Sequence, residues 1–303
     1  MQWIAHPAAG ESAPGGAAAR FSLTTLSRGT VGLPLTPGYW NRARLVRTAS
    51  YAVALAFWEI AGRILGKLFL APPTEVAVAL AEVTLTGELV LATLVSAQAL
   101  AVGFAAAVLV GIPLGMFMGR FESVERFFEP YISAFFVTPV SALIPVIIIW
   151  FGIGIEARVI VVFSFCFFDV VINTFSGVRD VRYDLIEPVR SLGASQRQIF
   201  QKVVLPAAAP FILTGIRLGL GRAIRGMIIA ELLLATTGLG GMIVSYSGVF
   251  RTDVVFAVVI VIVIYGLGSV RLVKAIETWL FPWKESSTIR SGMEAKAPAG
   301  AEG

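Results

Sequence analysis

The chain has 303 residues, 57% of them hydrophobic and 14% charged, with a mean hydropathy of +0.83. Ordinary soluble domains carry roughly 25% charged residues, so this composition describes an integral membrane protein and excludes disordered, collagen-like and disulfide-stapled chains. The net charge of +5 does not point to nucleic acid, because the basic residues gather at the ends of apolar runs and mark topology.

Residues 1–44 are rich in Ala, Gly, Pro and Ser with scattered arginines, and they lack a short apolar core followed by a small-residue cleavage site. They read as a disordered tail, not a signal peptide. About 20 apolar residues span a bilayer. Six runs meet or approach that length: 45–64, which contains Glu59, then 89–118, 127–150, 159–177, 209–235 and 254–273. An all-α membrane domain over residues 45–283 follows, with a second unstructured tail over 284–303. The alternating ten-residue strands of a β-barrel are not present in the sequence.

With the N-terminus inside, seventeen basic residues fall in cytoplasmic segments, four fall outside, and Arg217, Arg222 and Arg225 lie within the fifth run. The positive-inside rule therefore places both termini in the cytoplasm. The second run carries Gly103, Ala107, Gly111, Gly115 and Gly119, a small residue every four positions, and Gly215, Gly219 and Ala223 repeat the device in the fifth. Such ridges let helix backbones approach closely.

Between the fourth and fifth runs lies a polar loop, about 179–206, whose local signals describe two short helices. The first, Leu185–Leu192, ends at Gly193, a residue suited to a left-handed position, and Pro188 should shorten it or begin it. Ser195 with Gln198 three residues on forms a capping box that opens the second. That helix puts Ile199, Phe200, Val203 and Val204 on one side and Arg197, Gln198, Gln201 and Lys202 on the other. Pro206 and Pro210 are expected to break it before the fifth span.

Few residues invite chemistry. Cys166 is the one cysteine and His6 the one histidine, so disulfides, metal clusters and histidine catalysis lack their ingredients. Gly66-Lys67 is followed by Leu68 and preceded by Ala61 where a phosphate loop needs glycine, so energy must come from a partner. Within the spans, Asp169, Asn173, Arg217, Arg222, Arg225 and Glu231 are the candidates for a translocation path. Depth arithmetic at 1.5 Å per residue brings Asp169 level with Arg217 and Arg222. Glu231 is open between lining the path and a structural ion pair, and Gly238 to Gly241 between a gate and an ordinary turn.

The spacing of Glu187, Gly193, Leu205 and Pro206 resembles the EAA loop of ATP-binding cassette (ABC) importer permeases, where glycine follows the glutamate by six positions and a Leu-Pro pair closes the loop. Trp58-Glu59, Ala71-Pro-Pro-Thr-Glu-Val76, Trp150-Phe-Gly-Ile-Gly154 and Glu231 followed by Gly238-Leu-Gly240 look like the nitrate, sulfonate and taurine subfamily. This chain has Pro188-Val189 for Ala-Ala, and Asp169 where that subfamily usually has proline.

The resemblance implies the six-helix type I importer fold in the bacterial inner membrane, without catalytic residues, metal or cofactor. It implies a coupling loop of Glu187, Gly193, Ala194, Ser195, Leu205 and Pro206 that docks on a cytoplasmic ATP-binding subunit dimer. The other expected partners are a periplasmic or lipid-anchored solute-binding protein, a second permease copy and the lipid bilayer, with no nucleic acid. The solute implied is a small organic anion. The alternative is an ion- or proton-coupled transporter or channel, although no internal repeat is visible. An intramembrane protease lacks a second membrane aspartate to pair with Asp169.

The charge asymmetry is directly testable. With Cys166 replaced by Ser, a single cysteine placed at Ser245 should react with an impermeant maleimide on intact cells, and one at Ser195 should not. The reverse pattern would overturn the topology.

Overall fold

The computed structural model describes residues 37–234 and 237–280, and every regular element among them is helical. In chain order these are α1 (Pro37–Leu65), α2 (Pro73–Leu85), α3 (Glu88–Arg120), α4 (Glu122–Val137), α5 (Val140–Phe151) and α6 (Ile155–Arg179). They continue with α7 (Tyr183–Ser191), α8 (Gln196–Ile199), a π-turn (Phe200–Val204), α9 (Leu205–Leu234), α10 (Gly238–Gly248) and α11 (Thr252–Leu280). The chain divides after Ala52 into two units. In the first, the described residues 37–52 are helical, beginning inside the stretch read as tail; the rest of that tail, and residues 284–303, lie outside the described residues. The second unit, from Val53, carries everything below.

Three stretches are long and apolar enough to cross a membrane: Glu88–Arg120, the run Gln196–Leu234, and Thr252–Ile276. Helices α4 and α5, bent by 100° between them, make a fourth when the pair is counted as one broken span. The sequence reads residues 127–150 as one continuous span, and here the structure differs. Proline disfavours helical geometry in the residue before it. Thr138 accordingly turns extended (φ −67°, ψ 128°), Pro139 follows with ψ 100°, and the helix stops.

The glycine ridges set the packing. A Cβ built on Gly103 would stand 2.7 Å from Val162 Cβ, one on Gly115 2.7 Å from Thr174 Cβ, and one on Gly119 2.6 Å from Val178 Cβ, so α3 lies directly against α6. On the opposite side, Cβ atoms on Gly215 and Gly226 would stand 2.8 Å from Asn173 Cβ and 2.6 Å from Phe165 Cγ, so α9 does the same. Helix α6 is thus clasped between two glycine seams, and Cys166, Val170, Val171 and Thr174 are fully buried in it. Helices α1 and α11 expose Leu55, Phe57, Val263 and Leu267, which suits contact with lipid.

The join between loop and fifth span also differs from expectation. Pro206 and Pro210 do not break the chain: Pro206 sits in the first turn of α9 and Pro210 lies inside it. A proline removes a donor and crowds the carbonyl four residues back. The π-turn just upstream widens the spiral instead, with Leu205 N donating to Phe200 O five residues earlier, and the helix axis runs through. Pro188 likewise neither begins nor ends α7 but lies within it.

Overpacking a tight core costs about 1–3 kcal/mol, and more where backbone is the obstacle. Gly115→Leu should therefore destabilise the purified protein by at least that amount, read as a lower unfolding midpoint. Gly221→Ala, where nothing lies within 4 Å of the added Cβ, should leave it unchanged or raise it.

Candidate functional site

The loop forms as its local signals require. The C-terminus of α7 is closed by Ala194 N donating to Val189 O at 3.3 Å and Gly193 N donating to Arg190 O at 2.9 Å, the paired bonds of a Schellman cap. Gly193 takes φ +82°, which only glycine adopts freely. Helix α8 opens with the reciprocal box: Gln198 N donates to Ser195 Oγ at 3.3 Å and Ser195 N to Gln198 Oε1 at 2.8 Å. Ile199 and Val204 are buried with Ala208, Ile186 and Val189, while Arg197, Gln198, Gln201 and Lys202 face outward. Glu187, Ser195, Leu205 and Pro206 are exposed and Ala194 is half-buried. Arg120 Nη2 donates to Gln196 Oε1 at 2.9 Å, tying α8 to the end of α3. In the first turn of α7, the hydrogen bond from Arg182 holds the Asp184 carboxyl below the usual carboxylate range.

Higher in the bundle, the bend between α4 and α5 opens a cavity of about 400 Å³ against α6 and α9. Arg222 and Arg225 line it with Phe136, Thr138, Ser141 and Ser164. Arg222 Nε stands 3.0 Å from Asp169 Oδ2, an ion pair whose angle falls short of a hydrogen bond, and its guanidinium lies 5.0 Å from the centre of the Phe136 ring. The Asp169 side chain is 6% exposed and that of Arg222 41%. Depth arithmetic left Arg217 and Arg222 as candidate partners, and it is Arg222 that closes on Asp169. Arg225 Nε donates to Gly221 O at 3.1 Å, and the residue lines the cavity. Asn173 is half-buried and donates from Nδ2 to Asp169 O at 2.8 Å, whereas Arg217 is exposed on α9 outside the cavity lining.

Glu231 lies elsewhere. It is 0% exposed, with Ser96 Oγ at 2.7 and 2.9 Å from its two carboxylate oxygens. Gly240 N donates to Oε2 at 2.9 Å and Leu239 N to Ser96 Oγ at 2.9 Å. These amides belong to the first turn of α10, so the carboxylate caps that helix, where negative charge is favoured. Gly238, with φ +81°, brings the backbone around it. The glycines open for a gate or a turn are therefore the start of a helix.

Buried Arg158 of α6 adds a favourable charge within electrostatic range. Ser96 was not singled out in the sequence; a serine in an apolar ridge position was its only signal. Glu59 plays a similar part for α2, accepting from Thr74 N at 3.2 Å and from Arg63 Nε at 2.7 Å.

Residues 111–283 match the family described as binding-protein-dependent transport system inner membrane component. The taurine transport system permease protein of Escherichia coli (strain K12) is 34% identical over 253 residues, covering 80% of this chain and 92% of that protein. A permease protein of Bacillus subtilis (strain 168) named for aliphatic sulfonates transport is 33% identical over 237 residues, 78% of this chain and 86% of its own. The formylaminopyrimidine transport permease protein of Halalkalibacterium halodurans is 29% identical over 239 residues, 78% and 95% of the two chains.

The Asp169–Arg222 pair makes a charge-swap test sharp, because the Asp169 side chain is 6% exposed and stranding its charge there is costly. Asp169→Arg should abolish transport, and adding Arg222→Asp should restore part of it. Failure of the double variant together with normal transport by Asp169→Asn would show that the pair carries no functional weight.

Proposed function

The chain belongs to the binding-protein-dependent transport system inner membrane components, and from that premise we propose that it carries a small organic anion past Arg222 and Arg225. As a permease subunit of an ABC importer it is an integral inner-membrane transport subunit. ATP hydrolysis is by a partner ATP-binding subunit, and a solute-binding protein supplies the solute.

Our finer reading is a homodimer of six-span subunits with both termini cytoplasmic. The observation that carries the anion is the arginine cavity at the α4–α5 bend, where Asp169 offsets only one of two guanidinium charges. Arginine's planar fork suits sulfonate and carboxylate oxygens, which it binds bidentately. Relatives named for taurine and aliphatic sulfonates transport fit that chemistry.

Coupling follows from one continuous rod. The run Gln196–Leu234 contains 39 residues, about 58 Å at 1.5 Å per residue, with the docking helix at one end and both cavity arginines farther along. When the ATP-binding dimer closes on the loop, a displacement of α8 passes along α9 to the arginines and changes the side from which the cavity is reached. Glu187, Gly193, Ala194 and Ser195 present the docking surface, with Leu205 and Pro206 at its junction with the rod.

Reconstitution with the ATP-binding subunit and solute-binding protein tests both halves. Gly193→Val, which forces a Cβ into a left-handed turn at a cost of about 1 kcal/mol or more, should insert normally yet lose substrate-stimulated ATP hydrolysis. Arg225→Gln should keep the ATP-binding subunit bound and lose most anion uptake. Unchanged stimulation in the first would remove the coupling role, and unchanged uptake in the second would remove the anion path.

A further inference from the structure

A second cavity, of about 350 Å³, adjoins the first. The two share Phe135, Val140, Ser164 and Phe168 as walls, so they are neighbouring compartments at one bend. Their chemistry is opposite. The first holds Arg222 and Arg225, whereas the second is walled chiefly by Phe128, Phe163, Phe167 and Leu143. Its rings are already set in contact: Phe163 and Phe167 stack with centres 4.9 Å apart, and Phe167 meets Phe168 edge-on at 5.2 Å. Phe135 and Phe168 lie nearly parallel, 11° apart in plane and 6.1 Å between centres, at the boundary between the compartments. Ser164 already donates its hydroxyl to Ile160 O at 2.8 Å, so it offers no proton to an anion.

We infer that the solute is an amphipathic monoanion, its acid group held at Arg225 and Arg222 and its aromatic or branched apolar tail lodged in the phenylalanine chamber, with Phe135 and Phe168 as the doorway. This rests on the reading that the arginine cavity receives the solute. No cation lines the chamber and Tyr131 brings it a single neutral hydroxyl, too little to offset desolvating a charge, so an anion small enough to fit entirely beside the arginines would leave it unused. An apolar tail gains by leaving water for aromatic walls. The head is singly charged because two guanidiniums face one carboxylate, which leaves a surplus of one positive charge.

The test uses the permease with its ATP-binding subunit in nanodiscs, titrated with fluorescent naphthalene-1-sulfonate, with methanesulfonate as a competitor and neutral naphthalene as a control. Empty nanodiscs supply the background. Naphthalene-1-sulfonate should bind more tightly than methanesulfonate. Leu143→Trp, which fills the chamber, should weaken naphthalene-1-sulfonate by about tenfold or more, equivalent to ~1.4 kcal/mol, while methanesulfonate keeps its affinity. Arg225→Gln should weaken both.

If Leu143→Trp weakens neither anion, or both equally, the chamber is not part of the solute site, although the arginine path stands. If Arg225→Gln alters neither, the arginine path itself falls. Neutral naphthalene binding as tightly as its sulfonate, indifferent to Arg225→Gln, would mark the chamber as a lipid slot and overturn the inference. Should Leu143→Trp not retain the ATP-binding subunit, Phe128→Ala enlarges the chamber instead and should shift preference from naphthalene- to anthracene-sulfonate. No such shift would overturn the inference as well.

Discussion

The structure depends on the clasp around α6. Gly103, Gly115 and Gly119 of α3 press on one side, Gly215 and Gly226 of α9 on the other, each so close that a Cβ would stand under 3 Å from its neighbour. In lipid, apolar side chains gain little by leaving the hydrocarbon, so close van der Waals packing of small residues drives helix association. This packing leaves α6 little freedom to slide or turn. Its polar groups must therefore be satisfied where they lie. Asp169 sits in the clasped helix and is nearly buried, and the only economical solution is a cation at the same depth on a clasping helix, which α9 supplies as Arg222.

The same α9 carries consequences in the other direction. A proline-rich junction would ordinarily uncouple a surface helix from a membrane span, because each ring disturbs the bond ladder. Here the π-turn Phe200–Val204 takes up the disturbance before Pro206, and the spiral passes from Gln196 to Leu234 without a corner. Helix α8 and the arginine cavity are thereby joined through one run of helix. The single wide turn is buried at Val204, and Arg120 braces Gln196 just before it.

What could be read from the sequence was whatever a short window contains. The Schellman cap at Gly193 and the box of Ser195 and Gln198 lie within a few residues of one another, and both formed as read. The glycine ridge of α3 was legible through its four-residue period, whereas depth counted along two antiparallel spans narrowed the partner of Asp169 to Arg217 or Arg222 without choosing between them. The bend at Thr138 was missed because apolarity runs across it; the pre-proline restriction was the signal, outvoted by hydropathy. The junction at Pro206 was misjudged because a wide turn leaves no mark of its own in the sequence. Ser96 lies 135 residues from Glu231, and nothing local announces their bond.

Two intramembrane carboxylates are satisfied to very different degrees. Glu231 is fully enclosed, its oxygens shared among Ser96, the Gly240 amide and the field of Arg158, and its task is to hold the start of α10 beside α3. A group so saturated has nothing left for a passing solute. Asp169 is saturated less completely: it meets Arg222 at one oxygen, and that guanidinium keeps 41% of its side-chain surface exposed, with a ring face beside it and Arg225 one turn on. The aspartate lowers the cost of holding Arg222 inside the membrane without consuming its capacity to bind. Arg225, farther from Asp169 and without an acidic group in contact among the described residues, is where our proposal places the attraction. On the proposed reading, such a site would hold an anion at Arg225 while leaving Arg222 only partly neutralised, so that a shift of α9 could release it.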